Sequence, residues 1–410
     1  MTAGMVIAGA GECGARAAFA LREHGYAGPI TLVGAEPHTP YERPPLSKEV
    51  MIADAAVPPK TIATAERLAE SGIAFRPSQG IVALDRGAQV ATLSDHTRLP
   101  YDRLLIATGA HPRHLARDGH SGRHFLTLRT YDDALRIRSR IAPGRKVVVI
   151  GGGVIGLEVA AAAATRGANV TVVEFQNRLL SRNVPAPIAA VITERHEAAG
   201  VEIALSVSVE RVAEHGEHAH LLLSDGRKLE ADVVIVGIGV QPETALAEAA
   251  GLDVENGVVV NDRLATSDPN VFAAGDCCFF PHPLFGGRWL RLESWRSAQE
   301  QGALAARNML GADEAISAVP WFWSDQYDLT LQVAGLPDEG VSVVERSGDG
   351  TLVLFHLADD GRLVGAAGVG PGNAVARDIR IAEMLIAKSA HPDAAALARA
   401  DVKLKSLLAA

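Results

Sequence analysis

Two copies of one glycine pattern limit this chain's fold more than any other feature. Gly9-Ala10-Gly11-Glu12-Cys13-Gly14 follows the short apolar run Met5-Val6-Ile7-Ala8 and precedes an alanine-rich stretch. Gly151-Gly152-Gly153-Val154-Ile155-Gly156 follows Lys146-Val147-Val148-Val149-Ile150 and precedes another. Each copy thus has a strand before it and a helix after it, the context that gives this short pattern meaning. The first glycine permits a tight turn, the second lets the backbone approach a pyrophosphate, and the third lets helix pack on strand. The helix N-terminus then offers unpaired N–H groups and a positive dipole end. An acid closes the next apolar run each time: Glu36 after Ile30-Thr31-Leu32-Val33-Gly34-Ala35, and Glu174 after Val170-Thr171-Val172-Val173. Such an acid accepts hydrogen bonds from a ribose diol. The chain is therefore read as two Rossmann-like dinucleotide-binding units, and hydride transfer between two dinucleotides is what such a pairing serves.

The remaining composition fits. A chain of 410 residues holds two or three domains, and 48% apolar with 21% charged residues is globular. A net charge of −9 argues against nucleic acid as the main partner. The cysteines number three, with Cys277 and Cys278 adjacent, so they make no disulfide framework and suit a reducing compartment. The first strand leaves no room for a signal peptide, and no apolar run is long enough to span a bilayer. A cytoplasmic protein with no membrane partner is expected.

Residues 1–112 and 242–318 are read as one discontinuous dinucleotide-binding domain and 113–241 as a second, inserted one. The first part ends on Leu104-Leu105-Ile106-Ala107-Thr108-Gly109, and the returning segment carries Asn270-Val271-Phe272-Ala273-Ala274-Gly275-Asp276. From 319 to 410 the texture changes. Strand-like runs at Leu329–Ala334, Val341–Glu345, Thr351–Leu357 and Leu363–Val369 and a helical run over 373–388 predict an α+β domain with an antiparallel sheet.

The two fingerprints, the Ala107-Thr108-Gly109 turn and the Ala274-Gly275-Asp276 turn resemble the two-dinucleotide flavoproteins of glutathione-reductase-like fold. Within them, Tyr41-Glu42-Arg43-Pro44-Pro45-Leu46-Ser47-Lys48, Arg291-Leu292-Glu293-Ser294-Trp295 and Trp321-Phe322-Trp323-Ser324-Asp325-Gln326 are similar to segments of bacterial ferredoxin reductases that serve oxygenases, of the putidaredoxin reductase and biphenyl-dioxygenase ferredoxin reductase types. The resemblance implies FAD at the first fingerprint and NADH at the second. On the FAD side it assigns Gly9, Gly11, Cys13 and Gly14 to the pyrophosphate and Glu36 to the adenosine ribose, with Ala35 standing where many relatives have Asp. Arg43, Lys48, Val82, Ala107, Thr108, Gly109, Arg129, Asp276, Trp295 and Trp323 match further cofactor contacts. On the NAD side it assigns Gly151, Gly153, Val154, Ile155, Gly156, Glu158, Glu174, Gly239 and Glu293. Lys48 and Glu158 match a lysine–glutamate pair beside the flavin, and are the residues expected to carry catalysis.

Plainer readings stand beside these. Lys48 could cap a helix that Ser47 begins, Val82 could be a core strand residue, and Trp295 and Trp323 ordinary core aromatics. Glu158, placed on the first turn of its helix, could simply complement the dipole.

Glu174 would repel a 2′-phosphate, which favours NADH over NADPH, although Arg178 and Arg182 follow closely. No CxxC or CxxxxC pair is present, so a dithiol relay is excluded. No metal-binding spacing appears either, and His111, His114, His120 and His124 read as solvated. The resemblance implies that NADH reduces FAD and that electrons leave singly to a small [2Fe–2S] ferredoxin feeding a haem monooxygenase or a Rieske-type oxygenase. Arg291, Arg296, Arg307, Arg377 and Arg380 are candidates for its docking surface, on a monomer or weak dimer. Other acceptors (rubredoxin, monodehydroascorbate, oxygen) and an NADH-sensing interaction protein like the apoptosis-inducing factors share the fold and remain alternatives.

Overall fold

The computed structural model describes residues 3–115 and 123–408, so His120 lies outside the described residues. Described residues up to 42, together with 59–111 and 241–318, form one compact unit. Its five strands run parallel in the order Val271–Ala273, Arg103–Ile106, Met5–Ala8, Ile30–Val33, Ile73–Arg76. All four residues of Met5–Ala8 are buried, as expected of a central parallel strand covered on both faces. The helix Glu12–Glu23 follows and packs against Trp295–Met309. Gly302 makes that approach possible, since a Cβ there would sit 2.4 Å from the Cys13 carbonyl oxygen. An antiparallel meander, Ile81–Asp85, Val90–Leu93 and Arg98–Pro100, completes much of the remainder.

The second unit comprises the described residues among 43–58, 112–240 and 319–408. Its parallel sheet has the order Glu202–Ala204, Asn169–Val173, Lys146–Ile150, Val233–Val236, Phe125–Leu126. The helix Val154–Thr165 is buried from Gly156 to Ala163 and shows almost no polar face. A helix apolar all round has to be covered on every side. The sheet covers one side, and the strand Trp321–Gln326 and residues 44–52 cover others. That strand opens a five-stranded antiparallel sheet in the order Trp321–Gln326, Leu329–Gly335, Leu363–Pro371, Thr351–Leu357, Ser342–Gly348, with the helix Ala376–Ala387 packed on it. The antiparallel domain read from the strand runs is thus present, with Trp321–Gln326 as its additional strand.

Residues 43–58 were read as part of the first segment, yet they group with the second unit. Side chains explain why. Arg138 donates to the Ala53 carbonyl at 2.7 Å, and Arg166 to those of Met51 and Ala53 at 3.2 and 3.1 Å. The Tyr131 hydroxyl donates to the Val57 carbonyl at 2.8 Å. An irregular segment whose backbone carbonyls are satisfied by one neighbour is held by that neighbour. Among the described residues no helix is long and apolar enough to cross a membrane.

Candidate functional site

The two glycine loops repeat one geometry. Gly9 N–H donates to the Val33 carbonyl and Gly151 N–H to that of Val173, both at 2.8 Å. Both glycines have positive φ, 115° and 105°. A Cβ on Gly9 would lie 2.1 Å from the Ala107 oxygen, and one on Gly151 2.4 Å from the Gly237 oxygen. On Gly14 and Gly156 it would lie 1.9 and 2.3 Å from the carbonyl oxygens of Gly9 and Gly151. The protein's own packing therefore demands the first and third glycine of each loop. It does not demand the second: a Cβ on Gly11 or Gly153 would meet no atom within 4 Å. These two residues are also the N-caps of their helices, and neither helix has a side-chain cap. Uncapped N–H groups beside a glycine that packing does not require suit a phosphate. The residues present thus fit a dinucleotide pyrophosphate at both loops.

The acids are fixed differently. Glu36 accepts from the Tyr41 hydroxyl. Glu174 accepts from Gly152 N–H at 2.6 Å and from Gln176 N–H at 2.7 Å. Each carboxylate keeps acceptor capacity beyond these bonds. Arg178 donates to the carbonyls of Leu179, Leu180 and Ser181 at 3.1–3.2 Å, so its guanidinium closes the loop on itself. Beside the first loop, burial pushes the Glu12 carboxyl up, opposed by hydrogen bonds from Gln299 and Trp295.

Other residues of the first unit fall as follows. Cys13 and Ala107 are buried. The Thr108 hydroxyl donates to the Glu243 carbonyl at 2.7 Å, and Gly109 has φ 74°. Asp276 is half-buried in the turn after Val271–Ala273, and Trp295 opens the helix that Ser294 caps. Val82 is 56% exposed, at the point where the meander shifts register, so it is not a core residue. Glu293 pairs with Arg291, whose side chain is only 5% exposed. Arg291 is therefore no surface arginine. Arg296 and Arg307 share one helix but are paired with Glu300 and Glu314. In the second unit Arg377 and Arg380 are exposed, and Arg380 pairs with Glu383. Cys13, Cys277 and Cys278 are free and buried, and burial raises all three thiols.

In the second unit Lys48, Glu158 and Trp323 come together. Lys48 Nζ lies 3.0 Å from Glu158 Oε1 and 5.1 Å from the centre of the Trp323 ring. Trp323 stacks on Trp321 and donates Nε1–H to Asp325 at 2.9 Å. Lys48 does not cap a helix through its side chain. Nor does Glu158 sit on a first turn: the helix begins at Val154, so Glu158 is its fifth residue, beyond the reach of most of the dipole effect. Arg43 donates to the Arg129 carbonyl, and Arg113 N–H to that of Gly239 at 2.9 Å. Ile155 is exposed and Val154 half-buried on the first turn after Gly153.

Sequence reasoning missed the residues that hold Glu158. The Ser47 hydroxyl donates to its Oε2 and the Ser324 hydroxyl to its Oε1 at 2.7 Å. Gln326 and His196 extend the chain beyond Ser324. The signal was available, because Ser47, Ser324 and Gln326 all lie in the segments that carry the resemblance.

Residues 4–302 match the pyridine nucleotide-disulphide oxidoreductase family and residues 321–408 the reductase C-terminal family. The chain belongs to the pyridine nucleotide-disulphide oxidoreductases. Within this family it is 42% identical over 406 residues to the ferredoxin–NAD(+) reductase component of the anthranilate 1,2-dioxygenase system of Burkholderia cepacia, covering 98% of each chain. The putidaredoxin reductase–putidaredoxin covalent complex contains a chain of 35% identity that matches with a TM-score of 0.93, covering 100% of this chain and 98% of the other. The ferredoxin reductase for the CYP199A2 system of Rhodopseudomonas palustris matches with a TM-score of 0.94 at 34% identity, over 99% of both chains. The three cysteines of this member are free and buried, and none stands in a CxxC or CxxxxC spacing.

Proposed function

We propose that this oxidoreductase binds FAD at the first glycine loop and NADH at the second, and passes electrons from NADH to a small [2Fe–2S] ferredoxin serving a haem monooxygenase or Rieske-type oxygenase. The observation that carries the reading is the pair of uncapped loops in one chain, each with a central glycine that packing does not require. The ferredoxin follows from whole-length relatives that are named as ferredoxin reductases. In this reading the described residues up to 42, with 59–111 and 241–318, bind FAD, and the parallel sheet inserted between 112 and 240 binds NADH. The cytoplasm supplies NADH and keeps the three thiols reduced.

The bound flavin would supply the central chemistry, accepting one hydride, a two-electron transfer, from NADH and releasing the two electrons one at a time. The chain positions and polarises. The loop N–H groups of Gly11 and Gly153 hold pyrophosphates. Glu174, pinned by two backbone N–H groups, accepts from a ribose diol and repels a 2′-phosphate, while Arg178 spends its donors on the carbonyls of its own loop. NADH is favoured on that ground. Lys48 is the cation we assign to stabilising negative charge on the flavin, and Glu158 is its anchor.

The test is anaerobic mixing with NADH in a stopped-flow, followed by mixing with a bacterial [2Fe–2S] ferredoxin or with ferricyanide. Fast bleaching and ferredoxin reduction that weakens with salt, with ferricyanide reduction indifferent to salt, is the expected result. Slow bleaching with a persistent charge-transfer band would sink the reductase reading.

A further inference from the structure

Five polar side chains of the second unit, Ser47, Glu158, His196, Ser324 and Gln326, are only 0–3% exposed. Their bonds form a chain in which each link dictates the next. A carboxylate only accepts, so Ser324 spends its single hydrogen on Glu158 Oε1 at 2.7 Å. Its oxygen then accepts from Gln326 Nε2 at 3.0 Å. The Gln326 carbonyl oxygen faces His196 Nε2 at 2.8 Å, which places the imidazole hydrogen on Nε2. The bare Nδ1 accepts from the Tyr327 hydroxyl at 3.3 Å.

The far end is held as well. Tyr327 occupies a hairpin corner at φ 56°, uncommon for a bulky residue. Its ring meets His196 edge-on at 5.1 Å and lies 4.2 Å from the Arg195 guanidinium, which is ion-paired with Asp328 at 2.6 Å. Burial lowers the pKa of His196 and pushes the Tyr327 phenol up to about 12, so at neutral pH both are in the forms the chain needs. Apolar side chains would fill the same volume without the cost of desolvation.

We propose that His196, Gln326 and Ser324 are positioning residues: a one-way hydrogen-bond relay that pins the Glu158 carboxylate and, through it, Lys48. The proposal rests on the role given to Lys48 above. Two measurements on the FAD-loaded enzyme test it.

The first is the His196 tautomer at neutral pH, read by long-range proton–nitrogen NMR on histidine-labelled protein and assigned with His196→Gln. A single hydrogen on Nε2 is expected. A hydrogen on Nδ1 overturns the relay whatever the kinetics show.

The second is anaerobic bleaching by NADH. Ser324→Ala should slow the limiting rate about tenfold, and Ser324→Thr should return it to within about twofold of the parent, with the half-saturating NADH concentration unchanged in both. A Ser324→Ala enzyme as fast as the parent, beside a slow Lys48→Ala enzyme, overturns the relay and leaves the role of Lys48 standing. A Lys48→Ala enzyme as fast as the parent overturns the role of Lys48, and the proposal with it.

Discussion

The two glycine loops share a motif and part company one turn into their helices. In the first, the helix Glu12–Glu23 carries charged residues, with Arg16 and Glu23 forming an exposed ion pair. In the second, the helix Val154–Thr165 is apolar but for Glu158 and the terminal Thr165, and the Glu158 carboxylate is buried under Lys48, Ser47 and Ser324. The acids differ too, one held by a tyrosine hydroxyl and the other by two backbone N–H groups. The same short pattern can thus specify one backbone geometry and still leave the chemistry to whatever packs on the helix. Both loops have a geometry that suits a phosphate, and the helix of the second adds a buried carboxylate paired with a lysine.

The strongest challenge to the shared geometry is to fill it. Gly9→Ala and Gly151→Ala each place a Cβ within 2.4 Å of a carbonyl oxygen at a positive φ. Each should cost about 3 kcal/mol or more, read as a lower denaturation midpoint. Gly11→Ala and Gly153→Ala have free space instead. They should leave the midpoint of the cofactor-free protein within about 1 kcal/mol, while weakening dinucleotide binding at least about tenfold. Gly11→Ala should lower FAD retention, and Gly153→Ala should raise the NADH needed for half-saturation without loss of FAD. If Gly11→Ala unfolds the protein, the division of labour among the glycines is wrong.

A subtler contrast lies in the acids. Glu174→Gln removes the charge but can still engage neighbouring backbone, so NADPH turnover should gain about tenfold relative to NADH. An unchanged ratio would move the basis of cofactor choice away from Glu174.

The mildest effect comes from acid. His196 and His356 in the second unit and His282 in the first have their pKa lowered from 6.5, mainly by burial. Between the lowered values and 6.5 the unfolded chain binds more protons than the folded one, so stability falls as pH drops through that window and levels off below it. His196→Gln should flatten the decline measured by thermal melting. A stability that rises on acidification from neutral pH would contradict the burial of all three.

The legible part of this protein was local. The strand–glycine–helix order, the acids at 36 and 174, the missing dithiol and the C-terminal antiparallel strands are consequences of spacing and residue type within short windows, which the backbone obeys wherever it is placed. What the chain could not show along its length was which segments meet. Residues 43–58 were read with their sequence neighbours, but Arg138, Arg166 and Tyr131 satisfy their carbonyls from elsewhere in the second unit. Val82 was matched to a cofactor contact with a core strand residue as the plainer reading, and the register shift at Ile81/Ala83, which leaves it exposed, rules out the plainer one. Arg291 was read as a docking arginine, yet its side chain is only 5% exposed and pairs with Glu293. The Glu158 clamp draws on side chains 111 and 166 positions away, and no local pattern encodes a hydrogen bond across that separation. The sequence alone set the loops and their ligand class, because turn sterics and helix termini act between near neighbours. Only tertiary packing decided which carboxylate is buried, and what holds it there, because desolvation depends on everything that surrounds a group.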